Sequence, residues 1–158
     1  MLMLLFHLSD NCYAITVSDI VEVTPRVQLD SIPLAEDYLG GLFSYHGQNI
    51  PVIDLCQLML GRPCRDSLTT RIILVRFPLT NGGTRLLGLL AERITDTIEL
   101  PADAFTNTGI HIDDAPYLGA AARTERGLLQ QVNTSELIPS DVQDHLFSGA
   151  NPDAIAID

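Results

Sequence analysis

Apolar positions along this chain fall in short runs of about four to eight residues, separated by turn formers at close intervals. Leu2 to Leu8 and Cys12 to Val17 read as two strands joined at Ser9-Asp10-Asn11. Ser18 to Val23 fits either a helical turn or a further strand, because so short a segment carries no decisive period. Thr24 to Asp37 is a loop punctuated by Pro25 and Pro33. Leu42, Phe43 and Tyr45 then form a strand, His46-Gly47 reverses it, and Ile50, Val52 and Ile53 form its partner around Pro51, a residue that strands accept at an edge or an end. Asp54 is placed as a helix N-cap answered by Gln57, Leu55, Leu58 and Met59 share one face, and Gly61 with Pro63 ends the helix.

The second half repeats this style. Arg71 to Phe77 and Arg85 to Ala91 are near-continuous apolar runs flanking Asn81-Gly82-Gly83, which suits strands covered on both faces. Gly88 inside the second run predicts a bulge or bend. Ile94 to Leu100 alternates and predicts a half-exposed strand, and Asp103 to Asp114 is an acidic loop. Tyr117 to Ala122 and Gly127 to Val132 flank Thr124-Glu125-Arg126 as a hairpin, although the alanines would also accept a helix. Ser140 with Gln143 has the pattern of a capping box for a last short helix ending near Phe147, and residues 149–158 read as a flexible tail. Many short strands with little helix predict an all-β fold, a barrel or pair of barrels.

Composition narrows the function more than the fold. The 158 residues suit one domain, long enough to bury about 70% of the unfolded surface. Net charge is −11 and the chain has no lysine, so no basic stripe exists to neutralise nucleic-acid phosphates or an anionic membrane. An acidic surface also serves solubility alone. The start, MLMLLFHLSD, lacks a basic leading region and reads as a first strand, not a signal peptide. No apolar run approaches the ~18 residues of a membrane-spanning helix. Three cysteines, an odd number, argue against a disulfide framework.

The segment from Gly41 to Pro63, GLFSYHGQNIPVIDLCQLMLGRP, resembles the signature of the CheW-like domain family, the coupling proteins of bacterial chemotaxis. That signature runs G-x-x-N-x-R-G, a hydrophobic pair, proline and an Ile-Asp-Leu helix start. The likeness continues through LLFHLSDNCYAITVSDIVEV, TRIILV, LLGLLAERITDTIEL and RGLLQQVNTSELIP. It implies one CheW-like domain over residues 1–148, built as two small intertwined β-barrels of SH3-like or OB-like kind with a few short helices and a shared core. It implies a cytoplasmic adaptor that couples the tip of a methyl-accepting chemoreceptor to the regulatory domain of a CheA-type histidine kinase. The alternative left open is a module that binds receptor without recruiting kinase. The resemblance carries partner contacts onto Val17, Ile20 and Glu22, and onto Gly41, His46 and Gly47. The chain departs from the pattern at Ser44 and His46, where the signature has Asn and Arg. Arginine is a fixed charge and imidazole a conditional one, so the charged contact there is missing, weakened or pH-dependent.

Candidate chemistry is sparse. Cys56 and Cys64 match no zinc spacing, and a nucleophilic Cys56 needs a base, for which His46 is the one plausible residue. The set His111, Asp113 and Asp114 has metal-ligand types in a loop already rich in acids. No phosphate loop, paired carboxylates or nucleophile elbow stands in the sequence. No catalytic residue, metal or cofactor is therefore assigned, and the expected work is binding by exposed apolar surface.

Overall fold

The structure, a computed structural model, describes residues 1–33, 35–107 and 114–147, apart from the side chain of His145. Among the described residues, ten strands make two five-stranded sheets. The first sheet has the order β8-β1-β2-β10-β9 and the second β3-β6-β7-β5-β4. In the first lie β1 (Leu2–Leu8), β2 (Asn11–Thr16), β8 (Thr97–Glu99), β9 (Leu118–Thr124) and β10 (Gly127–Val132). The second holds β3 (Ile20–Pro25), β4 (Leu39–Tyr45), β5 (Gln48–Asp54), β6 (Arg71–Pro78) and β7 (Thr84–Ala91). The chain thus begins the first sheet, builds all of the second, and returns to finish the first. The described residues also hold two short α-helices, α1 (Leu55–Leu60) and α2 (Ser140–Phe147).

Strand β1 explains why its sequence shows no polar alternation. Its successive side chains point to opposite faces, and both faces are covered. Leu4, Phe6 and Leu8 enter the main core, while Met3 and Leu5 join Ala14 and Leu129 in a smaller one. The main core draws Ile15 from the first sheet, Ile53, Ile72, Phe77 and Leu89 from the second, and Val142 and Phe147 from α2. The all-β expectation, with two small interwoven units around shared apolar residues, is borne out.

Both backbone ladders are open. The second sheet ends at β3 and β4, yet Tyr45 Oη on β4 donates to Glu22 Oε1 on β3 at 2.7 Å. Its edges therefore meet through side chains rather than through the backbone pairing of a closed barrel.

Local chemistry set most element ends where the sequence placed them. His46 and Gly47 both take positive φ, 49° and 80°, the requirement of the tight hairpin turn between β4 and β5. Pro51 is tolerated because β7 pairs with β5 only from Val52 onward. Asp54 caps α1, accepting the Gln57 N–H at 3.1 Å, and Gly61 ends it at φ 77°. The segment Ser18 to Val23 is both of its alternatives in turn: a 3-10 turn over Val17–Asp19, then β3.

Three details differ from expectation. Gly88 sits in an unbroken β6–β7 register, so it is no bulge. A Cβ there would lie 2.8 Å from Val52 Cγ2, and the glycine instead lets β5 pack alongside. In α1 the buried residues are Leu55 and Cys56, with Leu58 and Met59 only half covered. The Gln143 amide reaches back to the Ile138 carbonyl at 3.0 Å, not to Ser140. The hairpin expected over Tyr117 to Val132 is present: Leu118–Thr124, alanines included, is strand and pairs with β10, which overrides the helix propensity of the alanines. The expected tail, 149–158, lies outside the described residues.

Candidate functional site

The two edge strands of the second sheet, β3 and β4, with the hairpin tip after β4, gather five of the residues that the sequence singled out. The 3-10 turn at Val17–Asp19 is fastened from β6, where Arg76 Nη1 donates to the Ser18 carbonyl at 3.1 Å. From that turn β3 emerges as an edge strand. Val17 and Ile20 are half-buried and pack on the main core. A register shift between Ile20 and Glu22 turns Val21 and Glu22 outward together, leaving Val21 39% exposed. Across the gap, the Tyr45 hydroxyl bonds Glu22, and the Tyr45 ring meets the His46 ring edge-on at 4.3 Å. Glu22 as acceptor, with a little burial, pushes the Tyr45 phenol up.

The result is a small exposed cluster, Val21, Glu22, Tyr45 and His46, on two strand edges and a hairpin tip. Val21 and Tyr45 were missed by sequence reasoning. Consecutive apolar residues in SDIVEV were the available signal, since one of two neighbours in a strand must face out. Gly47 is exposed at the same tip, and a Cβ there would meet nothing within 4 Å. Its glycine is required by φ alone.

Gly41 stands apart. It is buried, at φ 138°, and a Cβ would come 2.5 Å from the Asp30 carbonyl oxygen. Asp30 and Leu42 exchange backbone hydrogen bonds at 2.9 and 2.7 Å, pulling the loop after β3 over this glycine. The close approach that Gly41 permits is made by its own chain.

A second set of polar groups lies under α1. Glu92, 7% exposed at its side chain, accepts a two-pronged pair from Arg62 at 2.8 and 3.1 Å and the Arg65 N–H at 2.6 Å. The Arg62 hydrogen bonds, helped by the Arg65 N–H against the cost of burial, hold the Glu92 carboxyl down at about 2. Outside this pair opens a polar cavity of about 490 Å³ lined by Arg62, Arg65, Arg93 and Glu92 with Ser9 and Asp10. Ionisable groups do converge there. Its buried acid, Glu92, is committed on both oxygens to Arg62, and the three arginines stay charged across the working range, so what the geometry shows there is a saturated ion pair.

A larger cavity, about 600 Å³, runs between α1, the end of β6 and the start of α2. Tyr38, Leu58, Leu79, Tyr117, Leu137 and Ile138 give it an apolar wall. Neither cavity touches the β3–β4 cluster. Among the described residues, His46 makes no contact with Cys56, whose partner is Cys64. The nucleophile–base pairing considered from the sequence is not assembled. The His111 and Asp113 set lies outside the described residues.

Comparison with known proteins agrees with this architecture. The family model for the CheW-like domain matches residues 2–142. No curated protein matches the chain. Among solved structures, the crystal structure of the scaffolding protein TtCheW from Thermoanaerobacter tengcongensis is similar, with a TM-score of 0.70 at 22% identity. That likeness covers 83% of this chain and 82% of that one.

Proposed function

We propose that this chain, which belongs to the CheW-like domain family, is a non-catalytic adaptor that joins a methyl-accepting chemoreceptor to a CheA-type histidine kinase. The observation that carries the reading is the exposed cluster at the β3 and β4 edges. It has an apolar residue, Val21, beside a carboxylate, a phenol and an imidazole. An apolar centre with a polar rim is the usual anatomy of a moderate-affinity protein interface. The kinase's regulatory domain is the partner for this edge, and the receptor tip takes a separate surface.

The mechanism is geometric. Holding kinase and receptor on one rigid body raises the concentration of each at the other and fixes their orientation. Signalling then needs only a difference in affinity between two receptor states. No helix among the described residues is long and apolar enough to cross a membrane, so association with a membrane receptor runs through protein contacts.

Calorimetry with a kinase regulatory domain and a receptor-tip peptide tests both arms. We expect association with each on the order of tens of micromolar or tighter, and a roughly tenfold weaker kinase arm for Val21→Glu. Receptor binding without kinase binding would replace the adaptor by an inhibitory module, a reading favoured by His46 in place of arginine. Binding to neither would end the proposal.

A further inference from the structure

Beneath α1 the fold brings together two thiols that are eight positions apart in sequence. Cys56 is fully buried and Cys64 is 7% exposed. Their sulfurs lie 2.8 Å apart, and Cys64 Sγ also reaches the Leu90 carbonyl at 3.4 Å. One carboxylate arranges both. Asp54 Oδ1 accepts the Gln57 N–H and so fixes the helical turn that carries Cys56. Asp54 Oδ2 accepts the Cys64 N–H at 3.0 Å and so fixes the returning loop. The third cysteine, Cys12, stands on β2 in the smaller core. The odd count that argued against a disulfide thus resolves into a pair and a bystander.

We propose that Cys56 and Cys64 form a redox-active pair that closes into an intramolecular disulfide, tying the first turn of α1 to the loop that follows it. The sulfurs already need less than about 1 Å of further approach, and the backbone on each side is held by the same carboxylate. A small-molecule disulfide such as glutathione disulfide is the oxidant. The Cys64 thiolate attacks one of its sulfurs and a first glutathione leaves. Cys56 then attacks the Cys64 sulfur of the mixed disulfide and the second glutathione leaves. The protein gives up two electrons and two protons, and the oxidant departs as two thiols. Access runs through the loop of residues 61–70, exposed from Arg65 to Thr69. The hydrogen bond to Cys56, and then burial, hold the Cys64 thiol above the ordinary cysteine range, so closure accelerates as pH rises.

A metal ion is the competing occupant, because the ligand atoms of Asp54, Cys56 and Cys64 lie within 4.8 Å of one another. Both Asp54 oxygens are engaged by backbone N–H groups, and coordination would uncap α1 and release the loop. The disulfide keeps both bonds intact.

The test uses the full chain carrying Cys12→Ser, purified reduced, freed of metal by chelation and incubated natively with glutathione disulfide at pH 8. Intact mass should fall by two hydrogens, thiols titrated after denaturation should drop from two to none, and peptide mapping should join Cys56 to Cys64. Reduction should restore both thiols with the circular dichroism unchanged. A stable glutathione adduct, a crosslinked dimer, or two thiols still free after prolonged incubation overturns the proposal. So does stoichiometric zinc that returns on dialysis and blocks closure. Folding failure of a single-cysteine variant cannot confuse the result, since the pair itself is left intact.

Discussion

Two polar clusters in this molecule use similar residues for opposite ends. Under α1, Asp54 accepts two backbone N–H groups, and Glu92 accepts a two-pronged pair from Arg62 together with the Arg65 N–H. At the β3–β4 edge, Glu22, Tyr45 and His46 share one hydrogen bond and one ring contact, and Glu22 and His46 face solvent. Burial makes each unmet bond costly, so the inner cluster is saturated. Exposure makes each bond cheap to exchange, so the outer cluster can hand its groups to a partner. The inner set holds the fold together, and the outer set is the one the proposed interface draws on.

That contrast is sharpest where a substitution moves one property alone. Gly41→Ala should be the most damaging, because its Cβ would sit 2.5 Å from a backbone oxygen at φ 138°. We expect a loss of at least about 3 kcal/mol in urea unfolding. Stability near wild type with partner binding abolished would move Gly41 from interior to interface. Glu92→Ala comes next, at about 2 kcal/mol, since it strands Arg62, itself partly exposed, and the Arg65 N–H. A variant as stable as the parent would break the claim that the inner cluster is structural.

Acid titration probes the same pair without mutation. The Glu92 carboxyl is lowered from 4.5 to about 2, so its stabilisation is complete above the unfolded value and is lost as pH falls through that window. The unfolding midpoint should therefore drop more steeply between pH 4.5 and 2 in the parent than in Glu92→Gln. Tyr45→Phe should have the smallest effect on stability, within about 0.5 kcal/mol, while measurably changing kinase affinity. An unfolding shift several times larger would place Tyr45 with the scaffold.

Sequence made the strands and turns legible because their causes are local. His46-Gly47 marks a reversal, Asp54 a cap and Gly61 a stop wherever they stand. The resemblance supplied the interweaving, which no local period encodes. What stayed hidden depends on neighbours distant in the chain. Gly88 reads as a bulge until β5 is laid beside it, and Gly41 as a contact until Asp30 is laid over it. Tyr45 attracted notice only as strand filler, because Glu22 reaches it from the far edge of the sheet. Cys56 and Cys64 looked incidental for the same reason: Asp54, which unites them, had already been given a role as a helix cap.

The parallel seam between β2 and β10 has a consequence for biosynthesis. Cys12 pairs with Leu129 and Ala14 with Gln131, so this edge of β2 stays unpaired until β10, the last strand of the described residues, has left the ribosome. Until then Met3 and Leu5 lack Leu129, their cover in the smaller core, and an unpaired strand edge beside them is exposed to misassociation. Moving the break point by circular permutation, so that β8 to β10 are translated just before β1, should shorten that vulnerable interval.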